Sequence, residues 1–247
     1  MSVARAVALY MFVNGFHSLA SVGASYGYEP RPPPGKVSVV VACYNESDEL
    51  LRVSLSSLAR QNAVLLYPSM FELVMVTSGG CNEGLARAYG FTVVRAPRGK
   101  LRSRDLATRL ASGEIIVSAD ADTYYPPGWL SAVLEPFRDP SVVGVSVPSI
   151  EGGLRALREL FFGLWKHVIY SSKMLGRGSA YRKWAYFAVG GFNLEVDDLY
   201  LRTRDIDLLV LEEEIGFKKK LERVGKVVYV NAPVIHLGPP HGRGLHI

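Results

Sequence analysis

Short β-branched runs alternate with amphipathic stretches through the first half of the chain. Val37-Ser38-Val39-Val40-Val41-Ala42 has the continuous apolar character of a strand buried on both faces. Ser47 is placed to cap a helix running to Gln61, with Leu50, Leu51, Leu55 and Leu58 on its inner side. Phe71-Glu72-Leu73-Val74-Met75-Val76 predicts a second strand, ended by Gly79-Gly80, and Thr92-Val93-Val94 a third. A helix over 103–112 then leads to a strand over 115–119, and Val142 to Val147 reads as another strand. Farther on, Phe217, Leu221 and Val224 fall on one helical face. The β-α-β-α-β order implies an α/β fold with a mostly parallel sheet and helices on both of its faces.

The ends of the chain break this pattern. Residues 1–24 form an apolar segment that overlaps a stretch, 6–28, without formal charge. It is long enough to cross a bilayer, but Asn14, Gly15, His17 and several serines dilute it. A membrane anchor or interfacial helix and a helix packed on the domain are the two readings. The Pro-rich stretch within 25–36 reads as a stiff spacer, so the compact domain is expected over 37–247. The aromatic run Leu160 to Trp165 predicts an amphipathic helix, either packed in the core or facing a lipid or an apolar acceptor.

Composition narrows the class. Of 247 residues, 49% are apolar, enough for a sizeable core and too many for a disordered chain. A net charge of +5 suits an anionic ligand or a membrane surface, and no dense basic patch argues for nucleic acid. Lys218-Lys219-Lys220 reads as the solvated face of a helix, and Asp197-Asp198 as loop charge. Cys43 and Cys81, the two cysteines, fall near strand ends and so near each other; buried free thiols are the expectation.

The chemistry concentrates at Asp120-Ala121-Asp122, which closes the apolar run Glu114 to Ala119. Two carboxylates at the end of a buried strand need positive charge on them. Mg²⁺ or Mn²⁺ carrying a diphosphate meets that need, because both ions take carboxylate and phosphate oxygens. The carboxyl end of a strand is also where open α/β sheets bind ligands. The plainer alternative is a polar turn.

Four segments in order resemble the family 2 glycosyltransferases, the inverting GT-A type, over about residues 37–236. Val37 to Glu46 resembles their opening strand and loop, and Asp120-Ala121-Asp122 their metal motif. Ala180-Tyr181-Arg182-Lys183 with Val189-Gly190-Gly191-Phe192-Asn193 resembles their acceptor-side segment. Glu213-Glu214-Ile215-Gly216-Phe217, running on to Gly225 to Val230, resembles their Glu-Asp helix and closing strand. The resemblance implies a single Rossmann-like domain of GT-A type, with a mostly parallel mixed sheet flanked by helices.

It further implies a donor site in which Tyr44 and Glu46 lie beside the nucleotide and Ala42 forms pocket wall. Arg104 and Asp105 stand where the family often has Arg-Asn near the donor, although a surface ion pair is an equal reading. The family's Val-Asp-Asp-Gly-Ser pattern after the second strand is absent: this chain has Val76-Thr77-Ser78-Gly79-Gly80, so Thr77 or Ser78 would have to replace the base-holding Asp. Asp122 is the implied ligand of Mn²⁺ or Mg²⁺, helped by Asp120, with His236 either a further ligand or structural. For the catalytic base, counting back from Gly225 places Glu213-Glu214 at the Glu-Asp position, with Glu214 as base. Asp205 competes, because Arg204-Asp205-Ile206-Asp207-Leu208 has similar spacing.

The expected activity is metal-dependent, inverting transfer from a nucleotide-diphospho-sugar, UDP- or GDP-linked, to a hydroxyl of a glycan or lipid-linked acceptor. The expected setting is cytoplasmic and membrane-associated through the N-terminal segment. Two alternatives are a degenerate fold that binds nucleotide, glycan or a partner without turnover, and a sugar nucleotidyltransferase. The latter would want a Gly-rich phosphate loop where this chain has Cys43-Tyr44-Asn45-Glu46.

Overall fold

The computed structural model describes residues 29–151, 174 and 176–238. The apolar segment 1–24, the aromatic run 160–165 and the tail after Gly238 lie outside the described residues. Among the described residues no helix is long and apolar enough to cross a membrane.

The strands, in chain order, are β1 (Val37–Cys43), β2 (Phe71–Thr77), β3 (Thr92–Arg95), β4 (Ile115–Asp120), β5 (Thr123–Tyr124), β6 (Val142–Ser146), β7 (Ser149–Glu151), β8 (Ala180–Arg182), β9 (Lys226–Tyr229) and β10 (Val234–His236). The helices are α1 (Asp48–Ala59), α2 (Asn62–Leu66), α3 (Glu83–Ala88), α4 (Lys100–Leu110), α5 (Trp129–Leu134), α6 (Lys183–Ala188), α7 (Glu195–Thr203), α8 (Ile206–Val210) and α9 (Phe217–Leu221), with a π-helical turn, Leu211–Gly216, between the last two.

Seven strands form the main sheet in the order β3-β2-β1-β4-β8-β6-β9. The first four are parallel, β6 and β9 are parallel, and β8 runs antiparallel to both β4 and β6. The sheet is therefore mixed and mostly parallel, as the strand–helix alternation implies. β1 explains why such strands read as unbroken apolar runs. Val37, Val39 and Val41 pack with Leu51, Leu55 and Leu58 of α1 on one face, while Val40 belongs to the core with Leu101 and Ala107 of α4 on the other. A small second sheet, β5-β10-β7, sits at the end of the chain path and brings β10 beside the turn after β4.

Four local expectations change. The Pro-rich stretch packs on the domain where it is described: Pro33 is buried, and the Pro32 carbonyl accepts from Arg138 Nη2 at 2.9 Å. Val224 lies beyond the end of α9 and is 37% exposed, whereas Phe217 and Leu221 are buried as expected. Cys43 and Cys81 form a disulfide across a Cα–Cα distance of 6.4 Å, so they are not free thiols. Their shared position at the strand ends allows the bond.

The fourth change positions the functional site. α4 begins at Lys100, three residues earlier than the sequence pattern indicates. Its N-cap is Gly99, which has no side chain to cap the helix and takes a φ of +137°. Asp197 of α7 supplies the cap from across the fold: its carboxylate accepts the N–H groups of Leu101 (3.2 Å) and Arg102 (2.7 Å). A Cβ on Gly99 would lie 2.5 Å from Asp197 Oδ2, so the glycine is required twice. Asp198 adds a two-pronged ion pair to Arg102. Asp197-Asp198 is thus a docking contact between two helices rather than loop charge. The Asp197 carboxylate is fully buried, and burial raises its pKa against the pull of its two amide donors. Asp197→Ala is expected to destabilise the fold by about 2 kcal/mol, the loss of a buried cap, and to lower Tm by about 4–8 °C for a domain of this size. Thermal denaturation of the two proteins checks this, and an unchanged Tm would show that α4 needs no cap from α7.

Candidate active site

The carboxyl ends of β1, β2 and β4 open onto a cleft. Ala42, Tyr44, Glu46 and Ser78 line it together with Asp120 and Asp122, and Arg98, Lys100 and Ser103 close it from the α4 side. Tyr200, Leu201 and Leu209 supply an apolar wall. The parallel register sets Ala42 opposite both Val76 and Asp120, so residues just past those positions on three strands converge on the same opening.

Asp120 is held by an unusual amount of positive charge. Arg104, 1% exposed, reaches both Asp120 Oδ1 and Ser118 Oγ with its guanidinium. Its Nε lies 2.6 Å from Glu213 Oε1, off the hydrogen-bond axis, so charge rather than an aligned bond joins that pair. Lys100 bridges the same two acids, 2.8 Å from Glu213 Oε2 and 4.0 Å from Asp120 Oδ2. Burial pushes the Asp120 carboxyl pKa up, but Lys100, Arg104 and Arg177 outweigh it and hold the group well below the usual carboxylate range.

The turn from Asp120 to Pro126 is braced from beneath. Tyr125 Oη accepts the Asp120 N–H at 2.8 Å. Gln61, the only glutamine, is buried at the end of α1; its Nε2 donates to the carbonyls of Tyr125 (3.1 Å) and Pro126 (2.9 Å), and its Oε1 accepts the Leu130 N–H (3.1 Å). Both ends of its amide are satisfied, as a buried amide requires.

Asp122 faces a different partner. β10 pairs with β5, the Leu237 N–H donates to the Asp122 carbonyl at 2.8 Å, and His236 Nε2 comes to 3.0 Å from Asp122 Oδ2. Gly238 completes the corner, where a Cβ would sit 2.5 Å from Asp122 Oδ2 and 3.0 Å from His236 Nε2. A carboxylate oxygen and an imidazole nitrogen converge there with space that any larger residue would fill. This donor set fits Mn²⁺ or Mg²⁺, with Mn²⁺ the more tolerant of the nitrogen ligand.

Glu46 projects towards this cluster. Its Oε2 is buried without a hydrogen-bond partner, and its pKa is raised from 4.5 to about 7, first by burial and then by the charge of Asp122, with His236 offsetting part of the rise. Arg98 lies over the ring of Tyr44, 5.6 Å from its centroid.

Several sequence expectations are redistributed. Thr77 is buried and its hydroxyl accepts the Gly79 N–H at 3.1 Å, so of the Thr77-Ser78 pair only Ser78 lines the cleft. Asp105 is occupied by Arg109 (2.8 Å) and Tyr186 Oη (2.7 Å), both structural contacts. Asp205 is exposed and caps α8 through the Asp207 N–H at 3.0 Å, outside the cleft. Its spacing serves an N-cap as well as the Glu-Asp motif, because an N-cap also wants an acid before an apolar turn. Glu213 and Glu214 are both buried on the π-helical turn; neither lines the cleft among the described residues, and Glu213 reaches it through Lys100. Lys100 is the residue the sequence reading missed; Gly99 just before it was the available sign of a helix start.

Glu46 gives the site a pH signature. Its folded-state pKa exceeds its unfolded value, so folding favours the neutral carboxyl. That contribution is complete below pH 4.5 and is lost as pH rises through about 7. In metal-free solution Glu46→Gln is expected to remove this part of the decline in Tm over that window. Parallel Tm-against-pH curves for the two proteins would contradict it.

Residues 38–192 match the family described as glycosyl transferase family 2. That match includes Asp120 and Asp122 but ends before Glu213, Glu214 and His236. An N-acetylglucosaminyltransferase of Neorhizobium galegae is 27% identical over 162 residues, 60% of this chain and 36% of that protein. A hyaluronan synthase of Streptococcus pyogenes is 26% identical over 153 residues, 55% of this chain and 35% of the synthase. The chain thus spans about a third of the length of these curated relatives. The mannosyltransferase PcManGT of Pyrobaculum calidifontis, solved with GDP-Man and Mn²⁺, superposes with a TM-score of 0.63 at 22% identity, covering 97% of this chain and 70% of that one. The fold is GT-A, and the chain belongs to glycosyl transferase family 2.

Proposed function

We propose that the chain transfers a sugar from a nucleotide-diphospho-sugar to an acceptor hydroxyl by a single displacement that inverts the anomeric carbon. The observation that carries this reading is the pairing of Asp122 with His236 at 3.0 Å on the edge of the cleft, beside a buried cluster that balances Asp120. Asp122 and His236 would hold Mn²⁺ or Mg²⁺, with Asp120 behind them. Bound there, the ion supplies positive charge against the diphosphate leaving group. Lys100, whose side chain is 36% exposed, adds a second positive charge to the same cleft. Tyr44 and Ser78 offer a ring and a hydroxyl to the nucleoside, and Glu46 a carboxyl.

Glu214 is the general base in this reading, removing the proton of the acceptor hydroxyl as it attacks. Glu213 is its electrostatic neighbour, committed to Arg104 and Lys100. The donor in this reading is a UDP- or GDP-sugar and the acceptor a glycan or a lipid-linked hydroxyl; the mannosyltransferase solved with GDP-Man and Mn²⁺ supports a nucleotide-linked donor, and the relatives named for N-acetylglucosaminyl transfer and hyaluronan synthesis support a glycan product. Membrane association through residues 1–24, at the cytoplasmic face, belongs to the same proposal. A non-catalytic binder is the second reading, favoured by the missing carboxylate after β2.

UDP, GDP, CDP and dTDP are to be tested for thermal stabilisation with Mn²⁺ and with EDTA. One nucleotide is expected to raise Tm only with the ion, and Asp122→Ala is expected to remove that effect and to lower turnover by about 10²–10³-fold or more. Binding without product release would favour the non-catalytic reading. Glu214→Gln is expected to lower kcat by about 10²–10⁴-fold, with donor binding kept and Asp205→Asn close to wild type. The reverse ranking in a turnover assay would transfer the role to Asp205.

A further inference from the structure

One wall of the cleft consists of two loops tied back to back: Tyr44 to Ser47 after β1, and Ser78 to Asn82 after β2. The Asn45 N–H donates to the Gly79 carbonyl at 3.0 Å, the Ser78 N–H to the Cys43 carbonyl at 3.4 Å, and Asn82 Nδ2 to Asp48 Oδ2 at 2.8 Å. Asn45 and Gly80 both take positive φ, +52° and +72°. A Cβ on Gly80 would come within 2.8 Å of Asn45 Cα, so the two backbones touch. The fourth tie is covalent, the Cys43–Cys81 disulfide, and Cys43 itself is part of the cleft wall.

The order β2-β1-β4 places the Ser78 loop two strands, about 10 Å, from Asp120. A nucleoside diphosphate with its phosphates near Asp122 therefore extends its base towards Ser78 and Tyr44. This step rests on the transferase reading above. No carboxylate side chain stands among residues 78–82 to anchor that base, and two of the three hydrogen bonds between the loops, Asn45 to Gly79 and Asn82 to Asp48, join exposed residues, where local opening is easiest. We propose that the Cys43–Cys81 disulfide is a positioning element of the donor site. It locks the Ser78 loop onto the Tyr44 loop so that the base meets a preformed wall, and less ordering remains to be done on binding.

The consequence is a dependence of donor affinity, rather than of chemistry, on the oxidation state of two cysteines. Tris(2-carboxyethyl)phosphine in water breaks the S–S bond, yields two thiols and is itself oxidised to the phosphine oxide. Iodoacetamide labelling under denaturing conditions is expected to find no thiol before this treatment and two after it. Free thiols in the untreated chain overturn the proposal. Kd for UDP and GDP with Mn²⁺, measured by calorimetry on the oxidised chain, the reduced chain and Cys81→Ser, is expected to rise about tenfold when the tie is cut. KM for the donor should follow, with kcat at saturation unchanged.

Equal Kd values in the oxidised and reduced chains overturn the proposal, and an oxidised chain that binds none of the nucleotides overturns the transferase reading and the proposal with it. Gly80→Ala wedges the two loops apart with the disulfide intact, so it gives an answer even where reduction unfolds the chain. It is expected to weaken nucleotide binding in the same direction, and an unchanged Kd there also counts against the proposal.

Discussion

Arg104 is a guanidinium with 1% of its side chain in contact with solvent, and the cleft is organised around the need to neutralise it. A buried cation is tolerated only when counter-charge and hydrogen bonds surround it. The acids that meet it come from separate elements, Asp120 from the end of β4 and Glu213 from the π-helical turn. Glu213 is buried against it and Asp120 half-buried, and Lys100 shares both acids with it. The three elements are therefore fastened together by one charge balance, and Lys100 extends that balance to the solvent-facing side. An apolar replacement of the whole cluster could be as stable, but it would leave no fixed field at the strand ends, where the proposed diphosphate would sit.

The position of Arg104 depends in turn on how α4 begins. Lys100 and Arg104 are one helical turn apart and so share a face, provided that the helix starts at Lys100. Gly99 cannot cap that start, and Asp197 does so from α7. The aligned N–H groups at a helix N-terminus favour a carboxylate there, which is why an acid tolerates complete burial at this point. The π-helical turn is a comparable local irregularity with a positional effect. Its three consecutive glutamates all find partners inside the protein: Glu212 accepts the Asn193 N–H and pairs with Lys220, Glu213 meets Arg104 and Lys100, and Glu214 is buried beside them. Such wide turns recur at functional sites because they change which residues share a face.

The parts of the structure legible in the sequence were those set by local patterning. β1, β2 and β4 were visible because strands buried on both faces have little choice but β-branched and apolar residues. Asp120 and Asp122 stood out because acids at the end of such a run are costly without a partner. β8 was not recognised as a strand: it is three residues long and gains its place from neighbours far away in the chain. Asp197 looked like loop charge for the same reason, since a cap supplied from another helix leaves no mark within five residues of the helix it caps. Asp205 satisfies a second pattern in the structure, because a local N-cap and a catalytic acid can have the same spacing. The disulfide was half legible: strand-end positions predicted that Cys43 and Cys81 would be neighbours, but not that they would be joined.

The proposed distinction between Glu213 and Glu214 as base rests on the charge balance around Arg104. A general base must accept a proton during the reaction and so lose its negative charge. If Glu213 did this, Arg104 and Lys100 would lose one of the two acids that balance them at the moment the leaving diphosphate most needs a fixed field. Arg104 is fully buried, so water could not make good the loss. The residue that stabilises the cluster is therefore ill suited to take the proton. On the proposed reading that role falls to the next residue of the same turn, Glu214, which is likewise buried. In the proposed mechanism the Glu-Glu pair would then act as a unit, with Glu213 holding Arg104 and Lys100 while Glu214 takes the proton.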